Sequence, residues 1–302
     1  MAVVAGQPRL WLLGAAGFLL RGGIVVLIAP VLVVPTQVEI RLLLGDYLGT
    51  SGITPSFYPL VIGIAVVAAV VLLGLVLVLA RLELGLFDAL STDERVAAHV
   101  GDWQPIARGE ASRGTLFARL VTVQVWTVIA ILIAALPLAL AIGETAYAEV
   151  IRPTSPAPIY QRVLGAVTVP FMLFVGAFLA IEALSAVISR RLLVGRRSSL
   201  GLIGAATSGL RRVIRSPLRT LAAALSGWAL ALVALTPVLA IIVVTWQPVR
   251  RAFLSSVSFG DVVEPRTLMA AIVLAGSFVI GLVVAGFVSA VRSAIWTVDS
   301  VS

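Results

Sequence analysis

Six apolar stretches constrain this chain more than anything else in it. They run over roughly 10–35, 57–81, 116–143, 162–189, 217–246 and 267–295, each longer than the ~20 residues a helix needs to cross ~30 Å of hydrocarbon. Inside a bilayer the backbone has no water to bond to. Each stretch is therefore expected to be a helix with its N–H and C=O groups satisfied internally. The expected fold is all-α and polytopic, a single integral membrane domain over 1–302 with six transmembrane helices and interfacial amphipathic helices. The first stretch is too long for a cleaved leader and reads as a retained span.

The composition agrees. Sixty per cent of the 302 residues are hydrophobic, 12% are charged and the mean hydropathy is +1.12. All 22 basic residues are arginine, and the net charge is +8. Beside membrane spans, that charge has phospholipid headgroups as its nearest anionic partner, so nucleic acid is not expected. The absence of cysteine excludes disulfides and thiolate chemistry, and the single histidine, His99, cannot build a multi-histidine metal site. No cofactor is expected.

Arginine placement sets the expected orientation. With the N-terminus inside, Arg9, Arg81, Arg95, Arg108, Arg113, Arg119, Arg190, Arg191, Arg196, Arg197, Arg211, Arg212, Arg215, Arg219 and Arg292 fall on the inner side. Arg41, Arg152, Arg162, Arg250, Arg251 and Arg266 fall outside. This imbalance predicts a bacterial cytoplasmic membrane protein with both termini and the loops 82–115 and 190–216 in the cytoplasm. Tyr47, Phe57, Tyr58, Tyr147, Tyr160 and Trp246 then form an outer aromatic belt, with Trp11 and Trp296 at the inner one.

The spans also echo one another. Arg119 and Pro137 recur as Arg219 and Pro237, and each odd-numbered span carries a proline in its outer half, Pro30, Pro137 or Pro237. The segment LWLLGAAGFLLRGGI at Leu10–Ile24 matches LGLIGAATSGLRRVI at Leu200–Ile214 in eight of fifteen positions. Three helical hairpins of about 100 residues, related by a parallel repeat, are expected from this. The acidic and basic residues that mitochondrial carriers place after such prolines do not follow them here.

Phe117-Ala-Arg119-Leu120, an apolar run and then Pro137-Leu138 resemble a class of bacterial multi-span proteins. That class includes the membrane domain fused to glycerophosphodiester phosphodiesterases. Pro217-Leu-Arg219-Thr-Leu221 leading to Pro237-Val238 is a partial second copy, lacking the aromatic residue. The resemblance covers the third and fifth spans with their lead-in segments. It implies a membrane module and no phosphodiesterase.

Two sets of residues stand out. Arg21 lies about eleven residues into the first span, roughly 16 Å along its axis. Intramembrane arginines cost ~2.5–3.5 kcal/mol on insertion scales and usually face a partner or water. The alternative, suggested by the Leu200–Ile214 echo, is that Leu10–Leu20 lies on the inner surface, Arg21 sits at the entrance and spanning begins at Gly22. Arg81 with Glu83, Glu182, and Arg292 sit near the inner ends of the even-numbered spans. A polar cluster of Arg21, Arg81, Glu182 and Arg292 is expected, with Glu182 pairing with one of the arginines. The second set is Arg190, Arg191, Arg196, Arg197, Arg211, Arg212, Arg215 and Arg219. Within it, Ser199–Ile214 has helical apolar spacing at Leu202, Ile203, Ala206, Leu210, Val213 and Ile214. This helix is expected to lie in the membrane plane with its arginines on lipid phosphates or on a protein partner.

Ser91-Thr-Asp-Glu94 has the pattern of a capping box and predicts a short helix to Val100. That helix accounts for Asp93, Glu94 and His99 without catalysis. The proline-rich 152–162 reads as an extended connector, and Gly276, Gly281 and Gly286 as sites of close helix packing. No catalytic constellation is found. The functional expectation is a non-enzymatic membrane scaffold or regulatory module contacting anionic lipid, a protein partner or a second copy of itself. The alternative is a permease or exporter component using Arg21, Gln124, Glu182, Thr236 and Arg292.

Overall fold

The computed structural model of the chain describes residues 4, 6–32, 47–49, 52–55, 57–91, 113–151, 159–193, 201–259 and 265–301. Among these the protein is helical almost throughout, and six helical stretches are long and apolar enough to cross a membrane. The fold is therefore all-α and polytopic, as the hydropathy requires. A two-residue antiparallel pair, β1 (Leu48–Gly49) with β2 (Gly52–Ile53), is the exception.

The first span is broken. α1 (Pro8–Phe18) runs into a π-helical turn (Leu19–Gly23), a short α2 (Ile24–Ile28) and a 3-10 turn (Ala29–Val31) that contains Pro30. The break lies at Arg21 and Gly22, where Gly22 adopts φ +85°. Only glycine takes that left-handed conformation at little cost, so the Gly22–Gly23 pair is what lets the helix change course.

Four of the other spans are longer than expected, and the remaining one, Thr168–Leu193, begins later and is slightly shorter. α3 covers Phe57–Ser91, α4 Arg113–Ile151, α6 Thr168–Leu193, α8 Pro217–Phe259 and α9 Pro265–Val301. At 1.5 Å per residue α4 and α8 are about 58 and 64 Å long, roughly twice the hydrocarbon thickness. Pro137 lies inside α4, and Pro237 and Pro248 inside α8, without ending them.

The span expected over 162–189 is preceded by its own short helix, α5 (Ile159–Ala166), set off from α6 by a turn at Val167. Pro170 explains the break, because it has no N–H for the Ala166 carbonyl four residues earlier. The connector expected over 152–162 thus gives way to helix at Ile159, and 152–158 lie outside the described residues. α7 (Leu202–Arg215) is the amphipathic helix foreseen from the sequence, and it ends at Ser216, just before Pro217 opens α8. The capped helix expected from Ser91 falls on 92–100, outside the described residues, and Ser91 itself closes α3.

The chain divides into two compact units. One comprises Met1–Leu32, Val78–Leu120 and Ala186–Ser302, the other Val33–Leu77 and Val121–Ser185. In the first unit, α9 packs along both α1 and α8. Its core joins Val4, Leu10, Leu86, Ala290 and Val291, with Trp11 and Phe287 packed edge to face at 5.6 Å. The approach of α1 to α9 is close enough to demand glycine on both sides. A Cβ on Gly14 would strike the Gly286 carbonyl oxygen, and one on Gly286 would strike that of Trp11. Gly281 likewise sits against Leu27 and Val238, whereas Gly276 faces open space.

In the second unit, the apolar side chains of Leu60–Leu73 on α3 are almost all exposed, as are many on α4 and α6. Without a surrounding apolar medium such surface would drive aggregation. Against lipid tails it costs nothing.

A candidate site at the Arg-rich ends of the spans

The first unit buries charge. Arg21, turned aside by the π-helical break, places Nη2 2.5 Å from Oε1 of Glu83 on α3. The Glu83 side chain is 7% exposed and that of Arg21 39%, so the carboxylate is inside and the guanidinium reaches it from the edge. On α6, Arg190 is 5% exposed and donates from Nη2 to Oγ of Ser293 on α9, also at 2.5 Å. Its Nε and Nη1 are buried and make no hydrogen bond among the described residues. Arg190 is attracted by Glu83 and repelled by Arg21, so the three charges form one electrostatic group.

These side chains line a small cavity with Gly17, Ser289, Leu79, Leu82 and Leu86, its volume about 10 Å³. A space of that size holds one water-sized group. Two guanidiniums against one carboxylate leave an excess positive charge in an apolar wall, which is costly to hold without a counter-charge.

Several sequence expectations change here. Arg21 is paired with Glu83, not with Glu182. Glu182 belongs to the second unit, and Arg21, Arg81 and Arg292 to the first. Arg292 stacks its guanidinium over the Trp228 ring at 4.9 Å, its stem lying against Gly227, a cation–π contact worth ~0.5–2 kcal/mol. Arg81 is exposed and takes no part in lining the cavity. Arg190 and Arg191 were expected in a loop touching lipid headgroups. α6 instead continues through Leu193, and all of Ser189–Leu193 are buried, so this end of the helix is enclosed on every side and takes both arginines with it.

The remaining arginines of that set divide as follows. Arg211, Arg215 and Arg219 are exposed and Arg212 is half-buried, while Arg196 and Arg197 lie outside the described residues. Around α7 three faces follow from the 100° step per residue. Ala205 and Gly209 are buried, and a Cβ on Gly209 would touch Ile188 of α6, so small residues set that approach. Ile203, 80% exposed, with Leu210 and Ile214 forms an uncovered apolar stripe. Arg211 and Arg215 flank the stripe on its other side. No intramolecular surface covers the stripe among the described residues, which is the geometry of a helix floating at a lipid interface.

The second unit has a polar pair of its own. Arg162 of α5 meets Glu149 of α4 at 2.7 Å, with both side chains about nine-tenths buried. Thr127 of α4 donates to Ser185 of α6 at 2.8 Å. Thr236, considered as a solute contact, gives its hydroxyl to its own helix at Leu232 (2.6 Å). Sequence reasoning missed the Glu149–Arg162 pair and the role of Ser293. Neither has a local signal, since each partner is an ordinary residue near a span end.

Among the described residues no group of three or more His, Cys, Asp or Glu could hold a metal ion. His99, Asp93, Glu94 and Asp102 lie outside them. No protein-family model, no curated protein and no solved structure matches the chain.

Proposed function

We propose that this protein is a non-enzymatic multi-span membrane module, working in a bacterial cytoplasmic membrane with both termini inside, that engages anionic lipid through α7. The observation carrying this reading is the three-faced geometry of α7. Small residues fix it to α6, an exposed Ile203–Leu210–Ile214 stripe suits acyl chains, and the exposed Arg211 and Arg215 beside it suit lipid phosphates. Near an anionic leaflet each arginine contributes ~1 kcal/mol, so Arg211, Arg212, Arg215 and Arg219 together hold a patch of such lipid. A protein partner or a second copy of the chain would dock on that lipid-ordered face. The resemblance to the membrane domain fused to phosphodiesterases fits the same role, a module that anchors or regulates without catalysing.

Purification in native lipid followed by native mass spectrometry tests this. The wild type should retain anionic lipid, and Arg211→Ala/Arg212→Ala/Arg215→Ala should lose most of it while remaining folded. Equal retention in both proteins overturns the reading.

One observation favours a second reading, a permease. The Arg21–Glu83–Arg190 group is the kind of buried polar centre that gates a solute path. Proteoliposomes that take up a solute, and cease to when Glu83 becomes Ala in a folded protein, would establish it.

A further inference from the structure

The cavity beside Arg190 is a different place from the α7 surface and carries an inference of its own. Arg190 has two guanidinium nitrogens, Nε and Nη1, buried without a hydrogen-bond partner among the described residues. Buried donors are rarely left that way, and a buried guanidinium least of all. Ser289 and Ser293 line the same space, which is about 10 Å³ and only partly enclosed. Charge points to what belongs there. Arg21 and Arg190 together outweigh Glu83 by one positive charge, so a cation is repelled and a neutral water leaves the imbalance in place.

We propose that this cavity binds a phosphate-class anion, taking one of its charged oxygens between Arg190 and the hydroxyls of Ser289 and Ser293. Size favours an oxygen, since the space admits a single water-sized atom and chloride is larger. Chemistry favours phosphate, whose oxygens are the usual partners of arginine. Position favours it too. Arg190 lies three residues before the end of α6 at Leu193, about 4.5 Å along the axis, and a helix of membrane-spanning length meets lipid phosphates near its ends. The rest of the anion stays at the mouth. It is either a lipid diester or inorganic phosphate.

The test is thermal unfolding of the full-length protein in detergent, in the Arg211→Ala/Arg212→Ala/Arg215→Ala background so that α7 does not contribute. Sodium phosphate is titrated against sodium chloride at matched ionic strength, and phosphatidylglycerol against phosphatidylcholine in mixed micelles. The expected result is a saturable rise in Tm of a few degrees with phosphate, phosphatidylglycerol or both. Response to phosphatidylglycerol alone identifies a lipid headgroup, and response to inorganic phosphate alone a soluble ion.

Glu83→Gln removes the competing carboxylate and should tighten phosphate about tenfold. Ser293→Ala should weaken it several-fold, and Arg190→Gln should abolish the response. If Arg190→Gln does not fold, the opposed shifts of the other two variants still decide the matter. Chloride acting as well as phosphate, no response to any anion, or a Glu83→Gln variant unchanged in affinity each overturns the assignment.

Discussion

Leu10–Ile24 and Leu200–Ile214 share eight of fifteen residues, yet they become different objects. In the first copy, α1 lies against α9 with Leu10 fully buried and Gly14 in backbone contact with Gly286. In the second, α7 turns a stripe of large apolar side chains outward. Arg21 and Arg211 occupy the same place in the two segments. Arg21 is turned onto Glu83, while Arg211 remains exposed on an unbroken helix. The difference lies in the neighbour. Gly22 permits the left-handed turn, and its counterpart Arg212 stays helical. One backbone permission, more than eight shared side chains, decides whether an arginine reaches a buried carboxylate or stays exposed on its helix.

Four changes would break or sharpen this contrast. Gly14→Val or Gly286→Val should have the largest effect, because the new side chain meets backbone that cannot yield. A loss of about 3 kcal/mol or more is expected, seen as little folded protein on gel filtration. Glu83→Ala should follow, at about 2 kcal/mol by thermal unfolding. It leaves the buried Arg190 facing only positive charge, with the effect moderated by Arg21's access to water.

Gly22→Ala should cost about 1 kcal/mol in the same assay through its positive φ, and Arg212→Gly should loosen α7 by a similar ~1 kcal/mol through lost helix propensity. The exchange would fail as an explanation if Gly22→Ala left stability unchanged. Smallest in stability terms is Arg211→Ala/Arg215→Ala, expected within ~0.5 kcal/mol of wild type while reducing retained anionic lipid.

The spans were legible in the sequence because hydrocarbon thickness and helix rise fix a minimum apolar length, and each expected span overlaps a helical stretch long and apolar enough to cross a membrane. The amphipathic α7 was legible for the same reason, its apolar spacing being local. The polar centre was only partly so. Arg21 stands out, since a charge amid leucines and glycines is conspicuous. Arg190 and Arg191 do not, because two arginines after an apolar run look the same whether the helix stops or continues one more turn. Glu83 reads as a charge at a span end, with nothing nearby naming its partner. Hydrogen bonds between residues 62 and 103 positions apart follow from packing between helices, which hydropathy does not encode.

Those separations bear on how the protein is made. A ribosome delivers Arg21 long before Glu83, and Arg190 long before Ser293. The seat for α1 at Gly286 comes late as well. The first span, bent at Gly22, therefore has none of these partners until the later helices are made. Its final position is set by α9, which is synthesised long after it.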